Sequence, residues 1–201
     1  MTTQTRNDIL LEGAALTAPV LSHENHGQRF FRFPLEVPRL SGQADVLPVL
    51  LPEPALLPIE TGSFVRVRGQ LRSFNNRSGV GSRLVLTVYA LEAEAGDGTP
   101  QNHILLSGAL CKPPVYRRTP LGRSICDLML AVPRRYGRAD YLPAIAWGQL
   151  AARCGAMQVG DQLALEGRVQ SRAYQKVTES GTQTRVAYEV SIMRLLDLEE
   201  L

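Results

Sequence analysis

Gly167-Arg168-Val169-Gln170-Ser171-Arg172-Ala173-Tyr174, preceded by Tyr141-Leu-Pro-Ala-Ile-Ala-Trp147-Gly148, decides how this chain is read. Both segments alternate in polarity with period two, which is the mark of half-buried strands. In the first, Leu163, Leu165 and Val169 fall on one face and Arg168, Gln170, Arg172 and Tyr174 on the other. In the second, Leu142, Ala144 and Ala146 share a face of small aliphatics suited to a barrel interior, while Tyr141, Pro143, Ile145 and Trp147 share the opposite one. Flat aromatic faces interleaved with arginines suit unpaired bases on a charged backbone.

Working outward, the surrounding landmarks are Asn102-His-Ile-Leu-Leu-Ser-Gly108, Tyr116-Arg117-Arg118-Thr119-Pro120 and Ala131-Val132-Pro133-Arg134-Arg135-Tyr136. An offset of 95 residues aligns Asn7-Asp-Ile-Leu-Leu-Glu-Gly13 with Asn102–Gly108, Val37-Pro38-Arg39 with Val132-Pro133-Arg134, and Leu47-Pro48 with Leu142-Pro143. The offset grows to 98 at Gly62/Gly160 and Gly69/Gly167, and to 102 where Arg83–Val88 meets Arg185–Val190. Agreement this long, broken only by loop-sized shifts, is a tandem duplication. The copies are expected over residues 5–92 and 101–197, joined by the polar Gly/Pro linker Glu92–Pro100.

The second copy reads as five short strands, near 103–112, 122–133, 139–147, 161–174 and 184–194, with one short helix over Gln149–Met157. The first copy has Leu51-Pro-Glu-Pro-Ala-Leu-Leu-Pro58 at the helix position, and three prolines should delete it. Five strands with a helix between the third and fourth predict an all-β chain of two tandem OB-folds, each a five-stranded Greek-key barrel. The glycine-bearing segments 75–81 and 175–183 are expected to be the last hairpins.

Composition excludes several classes. With 44% apolar and 20% charged residues in 201, the chain is globular, and no apolar run is long enough to span a bilayer. The polar start lacks a signal-peptide core, so a cytoplasmic protein is expected. Cys111, Cys126 and Cys154 lie far apart without ligand spacing, which predicts free thiols, no metal and no cofactor. His23, His26 and His103 stand in no nucleophile motif, so no enzymatic activity is expected. Residues 1–98 hold nine Arg against ten acids, net −1, whereas residues 99–201 hold thirteen Lys and Arg against nine acids, net +4. The excess lies where the aromatics lie, as a polyanion-binding face requires.

Residues 102–192 resemble the bacterial single-stranded DNA-binding protein family. The resemblance is carried by Asn102, Leu106 and Gly108, by Arg117-x-Thr119-x-x-Gly122, and by Leu130-Ala131-Val132. Trp147-Gly148-x-Leu150-Ala151, Gly167-Arg168-x-x-Ser171-Arg172-x-Tyr174 and Tyr188-Glu189-Val190 complete it. It implies a non-enzymatic protein of DNA replication, recombination or repair that stacks bases on Tyr136, Tyr141, Trp147 and Tyr174. Arg117, Arg118, Arg134, Arg135, Arg168, Arg172 and Lys176 would contact the backbone. Tyr188, without basic neighbours on its face, reads as packing, and Arg153 as a solvated helix residue.

The first copy departs from this pattern. Ser41, Val46, Pro52 and Asn76 stand at the four stacking positions, leaving Arg66, Arg68, Arg72 and Phe74 as weaker contacts on a degenerate barrel. Family members commonly assemble four barrels, so two per chain imply a homodimer. Replication or repair proteins are further expected partners, although recruitment through a long Gly- or Gln-rich tail is not expected from a chain ending Leu195–Leu201. The other readings are an accessory like primosomal replication protein N, binding helicase or primase, and a structural oligomerisation module that binds no nucleic acid.

Overall fold

The computed structural model describes residues 5–76, 82–178 and 181–198. Among the described residues it is all-β with one short helix, as expected, and each copy adds one edge strand to the five expected in its barrel. The first copy contains β1 (Asn7–Ala15), β2 (Val20–Asn25), β3 (Gln28–Pro38), β4 (Ala44–Pro52), β5 (Phe64–Asn75) and β6 (Leu84–Ala95). The second contains β7 (Gln101–Leu110), β8 (Val115–Arg118), β9 (Ser124–Pro133), β10 (Ala139–Trp147), helix α1 (Gly148–Gly155), β11 (Gln162–Thr178) and β12 (Gly181–Leu196). The additional strands, β2 and β8, are exposed along their whole length and pair only at the edge with β3 and β9. With no buried side, they lack the one-sided apolar pattern by which strands are recognised.

Within each copy the strands close into a barrel: β3-β4-β6-β5-β1 and β9-β10-β12-β11-β7, with β4–β6 and β10–β12 parallel. Closure comes from β1 pairing with β3 and from β7 pairing with β9. This closure needs glycine. A Cβ on Gly13 would lie 2.2 Å from the Glu36 carbonyl oxygen, and one on Gly108 would lie 2.7 Å from that of Ala131. The barrels fill with alternating residues, among them Leu47, Val49 and Leu51 on β4 and Leu142, Ala144 and Ala146 on β10, all at most 3% exposed. Helix α1 stoppers the second barrel with Ala151 and Cys154. In the first copy Pro54 and its neighbours leave only a single 3₁₀ turn, Glu53–Ala55.

The two barrels join through one antiparallel ladder between β1 and β7, in which Asn7 faces Leu106 and Leu11 faces Asn102. Ile9 faces Ile104, its own equivalent in the repeat, so a pseudo-twofold axis passes between them. The chain is an internal dimer. The segment 175–183 belongs to the β11–β12 hairpin, as expected, but the paired strands run beyond the expected bounds at 174 and 184, out to Thr178 and Gly181. Residues 179–180 of that hairpin, and 77–81 of the corresponding one in the first copy, lie outside the described residues.

Candidate nucleic-acid interface

Register places the predicted residues. β10 runs beside β9, with Tyr141 opposite Ala131, Pro143 opposite Met129 and Trp147 opposite Ile125. On the other side Ile145 aligns with Ser191 of β12, which faces Arg168 of β11. Arg172 faces Ala187 and Tyr174 faces Arg185 along the same pair. Residues in register share a sheet face. Tyr141, Pro143, Trp147, Arg168, Arg172 and Tyr174 therefore all project from the outer face of one barrel. Tyr141 and Trp147 remain 48% and 40% exposed, whereas Leu142, Ala144 and Ala146 between them are buried.

Beside this row lies a groove of about 590 Å³ lined by Met129, Pro143, Tyr174, Lys176, Arg185 and Tyr188, with residues 82–86 of the first copy as its far wall. Arg185 and Met129 are additions to the residues expected from sequence. Their signal is strand parity, since Arg185 faces Tyr174 and Met129 faces Pro143. Tyr136 sits apart, on the turn Arg135–Gly137 that enters β10, with its ring 95% exposed. Its φ of 62° is left-handed, a conformation rarely taken by a bulky residue.

The arginines divide into two groups. Arg118, Arg135, Arg168, Arg172 and Lys176 make no ion pair among the described residues. Arg117 is held by Asp127 at 2.8 Å and Arg134 by Asp140 at 3.4 Å. Gln170, on the exposed-face parity, is buried and donates to Glu189 at 2.7 Å. Tyr188 packs as expected, against Leu47, Leu71 and Val169 where the barrels meet, and burial pushes its phenol above the ordinary range.

In the first copy Arg66 turns to the fully buried Glu12 at 2.5 Å and to Asp97 at 2.7 Å, tying the linker to β1. Arg68 and Phe74 are exposed. Arg72 reaches across the copies to Asp140 at 3.4 Å, and burial followed by the nearby Arg134 lowers its pKa.

Asp45 and Asp140, equivalent in the repeat, are buried residues at the junction of the barrels that the sequence does not flag. Asp140 accepts the Ser73 N–H of the first copy at 2.7 Å, and Tyr141 N–H donates to Ser73 Oγ at 2.7 Å. Asp45 reciprocally accepts the Ser171 N–H at 2.7 Å, and Val46 N–H donates to Ser171 Oγ at 3.2 Å. Arg39 covers Asp45 and donates to the Ser171 carbonyl at 3.2 Å, and its hydrogen bond to Asp45 raises its pKa. Two buried carboxylates thus latch the barrels together on both sides of the pseudo-twofold axis. The latch fixes Tyr141 directly, because its neighbour and its own amide are both engaged.

Comparison with known proteins finds similarity to one family over the second repeat. Residues 101–196 match the single-strand binding protein family. The match covers the second repeat, just under half of the chain. A single-stranded DNA-binding protein of Thermus aquaticus is 33% identical over 99 residues, covering 47% of this chain and 36% of that protein. Single-stranded DNA-binding protein 2 of Listeria innocua is 30% identical over 81 residues, covering 37% of this chain and 51% of that protein. The chain thus spans between a third and a half of the length of the curated relatives it matches. The crystal structure of the wild-type Thermus aquaticus protein superposes with a TM-score of 0.78 over 96% of this chain and 93% of that one, at 24% identity. That likeness extends the fold to both repeats. Among the described residues no helix is long and apolar enough to cross a membrane.

Proposed function

We propose that the chain binds single-stranded DNA without enzymatic activity, chiefly through the outer face of the repeat spanning 101–197, with the repeat over 5–92 as its pseudo-symmetric partner. The observation that carries this reading is the co-facial set Tyr141, Trp147 and Tyr174 beside Arg168, Arg172 and Lys176, which make no ion pair among the described residues. The family match of the same repeat supports it. Exposed rings accept the face of any base, at about 1–3 kcal/mol each, and cations follow the phosphates without reading sequence. Tyr136 supplies a further ring from its turn, and Arg118 and Arg135 extend the basic track. Arg117 and Arg134, already paired with acids, contribute less. The roles proposed are those of DNA replication, recombination or repair, and a homodimer would present four barrels.

Replacing Tyr141, Trp147 and Tyr174 together by Ala tests the reading. Stacking at three rings predicts a loss of affinity for oligo-dT of at least a hundredfold, with binding to duplex weak in parent and variant alike. Unchanged affinity in a folded triple variant would leave the aromatic face without a role. Light scattering of the parent gives the number of barrels per particle.

A further inference from the structure

The first copy lacks aromatics at the four stacking positions of the second, yet its outer face is not bare. The His23 and Phe30 rings stack with centroids 4.8 Å apart and an interplanar angle of 8°. Phe30 meets Tyr89 at 6.4 Å, and the Arg72 guanidinium lies 5.8 Å from the Tyr89 ring centroid. None of the three rings is buried, and Phe74 nearby is 53% exposed. The repeat register sets Phe30 against Ile125 and Tyr89 against Ser191, positions that hold no aromatic in the second copy.

A groove of about 980 Å³ is lined by His23, Arg32, Arg72, Phe74 and Tyr89 and closed on one side by Arg134 of the second copy, with Phe30 behind the His23 and Tyr89 rings that it contacts. Its charge is positive. Asp45 is matched by one arginine, but Asp140 is shared by two, Arg72 and Arg134, because Gln170 stands where the repeat would place the counterpart of Arg72. Arg32 adds an exposed cation with no ion pair among the described residues. The groove also shares Val85, Leu86 and Tyr188 with the groove beside Tyr174, so the two adjoin at the junction of the barrels.

We infer that the first repeat carries a second base-stacking subsite, built on His23, Phe30 and Tyr89, that takes the continuation of the strand bound by the second repeat. The inference rests on the proposed single-stranded DNA binding. An anionic polymer with flat unpaired bases fits a groove with a surplus cation and open aromatic faces, and apolar ligands do not need that charge. The first barrel is then a binding unit with relocated aromatics.

The test is the length of strand occluded per chain, measured by stoichiometric titration of the full-length protein with poly-dT while following Trp147 fluorescence. The Phe30→Ala/Tyr89→Ala variant should occlude fewer nucleotides than the parent, by roughly the 4–16 that one barrel covers. Arg32→Glu, at an exposed strand position where folding is not at stake, should shorten the site likewise. An unchanged occluded length in the folded variants overturns the subsite. A parent that binds no poly-dT overturns instead the function on which the subsite rests, and the subsite with it.

Discussion

Removing the carboxylate of Asp140 is the perturbation whose consequence follows most fully from the geometry. The side chain is fully buried and holds Ser73 N–H at 2.7 Å and the guanidiniums of Arg72 and Arg134 at 3.4 Å. Asp140→Ala orphans a buried amide, which costs about 1–3 kcal/mol. Breaking a buried ion pair costs about 3–5 kcal/mol, but here both arginines keep 23% and 32% of their side chains in solvent and can rehydrate, so only the lower part of that range applies. The expected loss is about 4 kcal/mol, a large share of the roughly 10–30 kcal/mol available to 201 residues. Asp140→Asn retains an acceptor for Ser73 and should lose about 2 kcal/mol. The same change frees two arginines toward the groove, so Asp140→Asn should bind oligo-dT more tightly, with a steeper salt dependence. Urea unfolding gives the first pair of values and a salt titration the second. Destabilisation by Asp140→Ala under about 1 kcal/mol, or weakened DNA binding by a folded Asp140→Asn, would refute the latch and its role in holding these cations.

Gly108→Val should destabilise by more than about 3 kcal/mol, seen as a lower thermal midpoint, because its Cβ must enter the 2.7 Å approach to Ala131. A variant of parental stability would show that barrel closure does not depend on this contact. Burial pushes the Cys154 thiol up to about 11 from an ordinary 9, so its contribution to stability is full below pH 9 and is lost as pH rises to about 11. That displacement corresponds to about 2–3 kcal/mol, and urea midpoints between about pH 8 and 11 should fall more steeply for the parent than for Cys154→Ala; equal slopes would exclude the thiol as the cause. The raised Tyr188 phenol adds to the parent's alkaline loss and persists in the variant. If the second barrel neutralises about five phosphates, log affinity against log salt should slope near −3.5, and a slope close to zero would remove the backbone track.

The parts of this fold that are legible in the sequence are those with a one-sided apolar pattern or a repeat partner. Leu142, Ala144 and Ala146 mark the inner face of β10, and the internal match of Asn7 with Asn102 locates the opening strand of each barrel. The strand Val115–Arg118 escapes such a reading because neither of its faces is buried, and the outer ends of β11 and β12, paired as far as Thr178 and Gly181, escape it because their polar run carries no one-sided apolar pattern. Asp45 and Asp140 give no local signal. Their partners, Ser171 and Ser73, lie more than 60 residues away, and only the apposition of the barrels reveals why an acid belongs at the start of a strand. The same holds for His23, Phe30 and Tyr89. Comparison by repeat position finds Ser41 and Val46 where rings are sought, and the rings stand at other positions that meet in space.

The central claim is that the outer face of the second barrel stacks the bases of single-stranded DNA, and Trp147, the only tryptophan, reports on it directly. Titrating the protein with oligo-dT at low salt should quench Trp147 fluorescence to saturation at a fixed stoichiometry, and added salt should reverse the quenching. Saturable binding in a mobility shift without any change in Trp147 emission would place the strand elsewhere and contradict the account.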